Sequence, residues 1–552
     1  MDDIDMPAST SQGADEPVGG WARGRGDATG VPHLDEVLGG GLPRGALVLI
    51  MGLPGSGKTT LASQIAFTAA RAGRTVLVLT ALSESTGKLI EHLRGFTFFD
   101  PALIGGPAQF LSLQGTLAQG LQATAETIVT EARRIRADLV LLDGFRGMRS
   151  VDADPQAARE FLYTLGTTLG TLGVSTIITS ETDPRDPTFF PETTTADVIL
   201  GLHYQLLGVR QYRGIEIIKS RTAAPVPGLH ALTLATHGAS VYPQLEERVA
   251  AATIGPDAQS QGAAPTSEQV RHTPTAVPVR RATFDLSELD DMLRGGIPLT
   301  TCTLLAGSLG TGKTLLALHW ALAAVRAGER VVFLGFREDR GQLLQAAEPF
   351  AIGPELDRAV RPGGAMSFLE VPPVKVNADV LADRLLAELD RSGARRLVVD
   401  SIAELERAIL RSADPARLED YLAAFLRACR SRHVTALLLK ETDKALAATL
   451  DFSADPLSVL AENVLLLQQI PHRGQLHRIL SILKLRFSDH DTALREFRIA
   501  APKGLEVLTA FESASGVLEG ITRDQERASG VSRSAPRPRS GSRRASGREE
   551  EA

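Results

Sequence analysis

Short apolar runs alternate with stretches of helical periodicity along most of this chain, and the whole alternation occurs twice. In the first half the runs are 47–51, 76–79, 139–142 and 175–179; in the second they are 303–306, 331–334, 397–399 and 435–439. Runs this short, set between amphipathic helical segments, predict βαβ units and a mainly parallel sheet covered on both faces. The later runs 215–219 and 479–485 come without intervening helices, which predicts antiparallel strands added to each sheet. The fold class expected is therefore α/β, built as two tandem domains, 27–247 and 282–520. Residues 248–281 are dense in Pro, Gly, Ser, Thr and Gln and are expected to form a linker. Residues 1–26 and the Arg/Ser-rich tail 521–552 cannot bury enough apolar surface to fold and are expected to be disordered.

The two halves repeat landmark by landmark. LDEVLGGGLPRGALVLIMGLPGSGKTTLA in the first corresponds to LDDMLRGGIPLTTCTLLAGSLGTGKTLLA in the second. Glu181-Thr182-Asp183 matches Glu441-Thr442-Asp443, and Lys219-Ser220-Arg221 matches Lys484-Leu485-Arg486. The offset grows from 255 (Lys58 to Lys313) through 257 (Asp143 to Asp400) and 260 (Glu181 to Glu441) to 265 (Lys219 to Lys484). Steady growth is what loop insertions between fixed elements produce, so a whole domain has been duplicated.

Each half carries GxxxxGK[ST] directly after an apolar run and directly before a helical pattern. In that context the glycines let backbone N–H groups wrap phosphate at a helix N-terminus, and the ligand expected is Mg·ATP. The first loop comprises Gly52, Gly55, Ser56, Gly57, Lys58, Thr59 and Thr60, and the second Gly307, Gly310, Thr311, Gly312, Lys313, Thr314 and Leu315. Lys58 and Lys313 are expected on the β- and γ-phosphates. Thr59 and Thr314 are expected on Mg²⁺, with Asp143 and Asp400, which end later apolar runs, holding the metal through water. The residues after these aspartates are Gly144 and Ser401, so no hydrolytic base adjoins them.

Composition limits the alternatives. The 552 residues carry a net charge of -6, with no long basic stretch inside the predicted domains, which argues against nucleic acid as the working ligand. Cys302 and Cys429 form no CxxC, which argues against a disulfide framework or a zinc ribbon. The opening MDDIDMPAST is acidic, and no apolar run approaches a bilayer's span, so a cytoplasmic protein with no membrane partner is expected.

From about Gly30 to Gly520 these features resemble the KaiC family, RecA-like ATPases of bacterial circadian and clock-related systems. The resemblance implies two tandem RecA-like domains and a double-ring homohexamer with nucleotide held between neighbouring subunits. It further implies that Lys219, Arg221, Lys484 and Arg486, together with Arg213 and Arg478 six residues upstream of each lysine, reach the γ-phosphate of the adjacent subunit. Paired cations on one strand face make a plausible anion clamp, or equally a solvated face.

Two departures matter. Where the family has adjacent glutamates, the first being the presumed base, this chain has Ser83-Glu84 and Arg337-Glu338. Glu84 and Glu338 are thus the remaining candidate bases, and slow hydrolysis is expected in both halves. Where the family clock protein has adjacent Ser and Thr phosphoacceptors, this chain has Ser458-Val459, leaving Ser458 as a single candidate phosphosite and a Ser/Thr autokinase as a secondary activity. The leading expectation is a hexameric ATP-dependent signalling switch whose C-terminal tail, with eight arginines from Arg523 to Arg548, could dock a signalling partner. The rivals are a RecA/DnaB-like DNA motor and a nucleotide-gated scaffold without turnover.

Overall fold

The computed structural model describes residues 26–81, 85–149, 155–186, 190–207, 210–221, 223–254, 280–374, 376–412, 415–442, 456–472 and 475–510. The expected Mg·ATP loops, aspartates and basic strands all fall within these ranges. Ser83, Glu84, Asp443 and the tail 521–552 lie outside them.

The first half forms one sheet from β1 (Leu47–Gly52), β2 (Val76–Thr80), β3 (Ala108–Ser112), β4 (Leu139–Asp143), β5 (Ser175–Ser180), β6 (Val198–Leu207), β7 (Arg210–Ser220), β8 (His230–Ala235) and β9 (Gly238–Tyr242). Their spatial order is β3-β2-β4-β5-β1-β6-β7-β8-β9. Pairing is parallel from β3 to β6 and antiparallel from β6 to β9. The second half begins with a small ribbon of β10 (Arg281–Ala282) and β11 (Ile297–Pro298). Its main sheet uses β12 (Cys302–Gly307), β13 (Val331–Gly335), β14 (Met366–Glu370), β15 (Arg396–Asp400), β16 (Thr435–Glu441), β17 (Asn463–His472), β18 (Gln475–Leu485), β19 (Arg495–Ala500) and β20 (Gly504–Ala510). The order β14-β13-β15-β16-β12-β17-β18-β19-β20 repeats the first sheet strand for strand.

The central strands are apolar throughout because both faces are covered. Leu47, Leu49 and Met51 point into the core beneath Phe161, Leu162 and Leu165 of the helix Pro155–Thr171, while Val48 and Ile50 face the core around Leu61, Ile65 and Phe67 of the helix Lys58–Arg71. The antiparallel additions begin at β7 and β18, as the helix-free runs predict. No helix among the described residues is long and apolar enough to cross a membrane.

Residues 248–254 differ from the linker expectation. They continue the helix Leu245–Ile254, because Leu245 and Val249 pack into the core of the second half. The docking is also polar. Arg417 pairs with Glu246, and its Nη2 donates to Asp379 Oδ1 at 2.6 Å. Arg248 Nε lies 2.8 Å from Glu36 and its Nη1 lies 3.2 Å from Asp383, so this helix bridges the halves.

His33 completes that bridge, 3.3 Å from Asp383 and 3.4 Å from Glu36. Its hydrogen bond to Asp383, with Glu36 adding to it, raises the imidazole pKa from 6.5 to about 9. A group whose folded pKa is raised contributes stability that is complete below the unfolded value and lost as pH passes the folded one. Docking of the halves is therefore expected to weaken between pH 6.5 and about 9, by on the order of 1–3 kcal/mol. Thermal unfolding followed across that window should show the loss in the wild type, and His33→Gln should flatten it.

Candidate nucleotide sites

Each phosphate loop springs from the central strand of its sheet. β1 ends at Gly52 and the helix Lys58–Arg71 begins six residues later; β12 ends at Gly307 and the helix Lys313–Arg326 follows in the same way. Gly57 and Gly312 cap these helices with φ of 105° and 94°, a left-handed conformation that a side chain would strain. A Cβ at Gly57 would also meet Leu234 Cδ1 at 2.8 Å, and one at Gly312 would meet Ile499 Cδ1 at 2.5 Å. Both loops thus leave a backbone cradle where an anion fits a helix N-terminus.

The lysines turn back over their loops. Lys58 Nζ donates to the Leu53 carbonyl at 3.1 Å, and Lys313 Nζ donates to the carbonyls of Gly307 and Ser308 at 2.9 and 2.8 Å. Burial lowers the pKa of both amines. The buried Ser56 hydroxyl has no hydrogen-bond partner among the described residues, as suits a loop shaped around a ligand.

Asp143 and Asp400 end β4 and β15. Thr59 Oγ1 lies 3.2 Å from both Asp143 carboxylate oxygens, and Thr314 Oγ1 donates to Asp400 Oδ2 at 2.7 Å. Asp143 also accepts from Thr179 Oγ1 at 2.5 Å, and the same hydroxyl accepts from Gly144 N at 2.9 Å. Thr179 is a positioning residue that sequence reading did not single out. Burial raises the pKa of both aspartates. A hydroxyl beside a buried carboxylate at a phosphate loop is a donor set that suits Mg²⁺, which prefers oxygen ligands and retains water.

In the second half the loop opens into a cleft of ≈ 400 Å³ whose lining includes Lys313, Thr314, Arg337, Glu338, Asp400 and Glu441. The candidate base Glu338 is at this cleft, where burial, then the Asp400 charge, raises its pKa. Arg337, at the same cleft, is held by two carboxylates. Its Nη1 donates to Glu441 Oε2 at 3.0 Å and its Nε to Glu404 Oε1 at 3.2 Å.

The six basic residues divide into two groups. Lys219 pairs across the sheet with Ile199, and Ile199 with Leu49 near the start of β1, so Lys219 and Arg221 lie toward the end of the sheet away from their own loop. There Lys219 Nζ donates to the carbonyls of Thr193 and Thr194 at 3.3 and 3.2 Å, closing the helix Pro191–Thr195. Lys484 does the same for the helix Pro456–Leu460, donating to Ser458, Val459 and Ala461. Arg213, grouped with them by sequence, is instead at its own loop, with Nε and Nη2 each 3.4 Å from the Gly55 carbonyl and the guanidinium over the Tyr204 ring. Arg478 occupies the equivalent register opposite Gln469, whose amide donates to Gly310 O at 3.2 Å. The upstream position sits on a strand that returns past the loop, and register rather than spacing decides this. Ser458 is buried, on the short helix Pro456–Leu460.

Comparison with known proteins agrees with this geometry. The family model described as "ATPase: KaiC" matches residues 28–246 and 285–512. The circadian clock oscillator protein KaiC of Picosynechococcus sp. is 25% identical over 530 residues, covering 94% of this chain and 95% of its own. Those of Thermostichus vulcanus and Synechococcus elongatus are each 25% identical and cover 89% of this chain, with 90% and 91% of their own lengths matched. Two complete repeats, each with its phosphate loop, its Thr–Asp pair and its basic strand, place this chain in the KaiC family of tandem ATPase domains.

Proposed function

We propose that the chain is a Mg²⁺-dependent ATPase that turns over slowly as a homohexamer and serves as a nucleotide-set signalling switch of the clock type. The observation that carries this reading is the position of Lys219 and Arg221. They lie on the same strand system as the phosphate loop but toward the opposite end of the sheet, where a second copy could use them. A ring in which each subunit lends these cations to its neighbour's nucleotide would couple occupancy to assembly.

Within each site the chain's own groups bind and orient. The loop amides and Lys58 or Lys313 hold the phosphates, and Thr59 with Asp143, or Thr314 with Asp400, would hold the metal. Bound Mg²⁺ would neutralise charge developing on the β- and γ-phosphates. Slow turnover follows from the absence of the paired glutamates. The scaffold reading applies most to the second half, where Arg337 occupies Glu441 beside the loop.

Purified protein incubated with γ-labelled ATP, scored for released phosphate and for mass by light scattering, tests the reading. A hexamer releasing phosphate slowly is expected; a monomer with ATP bound and no release would favour the scaffold. Because the Ser458 side chain is buried, phosphate on it is expected to be absent after the same incubation, and mass spectrometry of wild type against Ser458→Ala checks this.

A further inference from the structure

In both repeats a glutamate closes the strand between the aspartate strand and the phosphate-loop strand. Glu181 follows β5, which lies between β4 and β1, and Glu441 ends β16, opposite Gly307 of β12. Parallel strands deliver their C-terminal ends to one edge, so each glutamate is brought beside the loop lysine and the aspartate together. The charge of Glu181 acts on both Lys58 and Asp143, and that of Glu441 on both Lys313 and Asp400. No role assigned above uses either carboxylate.

The halves differ in what surrounds this glutamate. In the second, Glu441 Oε2 accepts from Arg337 Nη1 at 3.0 Å. Arg337 is itself anchored on Glu404, which also accepts from Arg407 Nη1 at 2.7 Å. In the first, the corresponding stretch from Ala81 to Ser85 contains no cation, and Gly147 stands four residues after Asp143 where Glu404 stands four after Asp400. Arg146 Nη1 donates to the backbone carbonyl of Glu181 at 2.8 Å. Among the described residues no cation lies within ion-pair distance of the Glu181 carboxylate.

We propose that Glu181 accepts the proton of the attacking water in the first half, and that Arg337 withholds Glu441 from that task in the second. The inference rests on the ATPase reading above. The water oxygen bonds to the γ-phosphorus as the bond from phosphorus to the β–γ bridging oxygen breaks. The electron pair leaves on the terminal oxygen of ADP, and the water proton passes to a Glu181 carboxylate oxygen. In the second half an Arg337 N–H occupies the Glu441 oxygen that would receive this proton. The second half therefore keeps ATP while the first spends it.

Steady-state phosphate release, with ATP binding measured on the same samples, tests this. Glu181→Gln is expected to lower release about 10²-fold or more with binding retained, the range of a lost general base, and Glu181→Asp should recover part of it. Arg337→Ser is expected to raise release at least about twofold, as a second site joins the first, and adding Glu441→Gln should remove that gain. Glu181→Gln at the wild-type rate, or Arg337→Ser without gain while ATP remains bound, would overturn the proposal. A wild type that releases no phosphate at all would instead contradict the ATPase reading, and Arg337→Ser would still decide whether Arg337 is the block.

Discussion

Replacing Arg417 with alanine is expected to destabilise the folded chain by about 3–5 kcal/mol, the range for breaking a buried ion pair from one side. Arg417 sits between Glu246, on the helix that leaves the first half, and Asp379, on the helix Ala378–Ser392 of the second, with all three side chains largely removed from water. Burial pushes the Asp379 carboxyl up, and the guanidinium offsets it through a direct hydrogen bond and its charge. Alanine would leave two carboxylates facing each other in the interface and would uncover the Tyr421 ring on which the guanidinium lies. Denaturant unfolding should show the loss, and adding Glu246→Gln with Asp379→Asn to Arg417→Ala should return much of it. Arg417→Ala unfolding at the wild-type midpoint would mean that the apolar packing around Leu245 and the bridge through Arg248 and His33 dock the halves without it.

Lys58→Ala and Lys313→Ala are each expected to weaken ATP binding at their own site about 100-fold or more, equivalent to roughly 2.7 kcal/mol. Each removes the one buried cation that the loop presents to phosphate, while the Thr–Asp pair 3.2 or 2.7 Å apart remains. The two losses should be independent, because the loops belong to separate sheets. Isothermal titration of each variant should find one class of site missing and the other unchanged. Unaltered binding in either variant would mean that its loop does not hold ATP.

Much of this organisation was legible because buried parallel strands write themselves as unbroken apolar runs. Val76–Thr80 and Leu139–Asp143 exceed the runs read from sequence by one residue each. The edge strands β3 and β14 were not legible, because one face is partly exposed and Ala108–Ser112 and Met366–Glu370 show no continuous apolar run. The continuation of the helix Leu245–Ile254 beyond residue 247 was hidden for a different reason. Its stability comes from a tertiary partner, the core of the second half, whereas the segment's own composition shades into the linker.

In the site, the loop residues were legible by motif because their spacing is fixed within one loop, and Asp143 and Asp400 because each ends an apolar run. Sequence spacing could not reveal that Arg213 returns to its own loop, since strand register sets that contact. Nor could it reveal that Arg337 is committed to Glu404 and Glu441, residues 67 and 104 positions away. The signal for Glu181 and Glu441 was present as the repeated Glu-Thr-Asp, but only the strand orders β4-β5-β1 and β15-β16-β12 turn a repeated tripeptide into a carboxylate beside the phosphate loop.

On the proposed division of labour, both halves hold ATP and only the first spends it. Protein equilibrated with Mg·ATP, freed of unbound nucleotide by rapid gel filtration, held long enough for bound ATP to turn over and then denatured for chromatography of what it carried, tests this most directly. Two nucleotides per chain are predicted, one largely ADP and one ATP, with Lys313→Ala losing the ATP and Lys58→Ala the ADP. Two ADP per chain, or ATP retained in the first half alone, would contradict it.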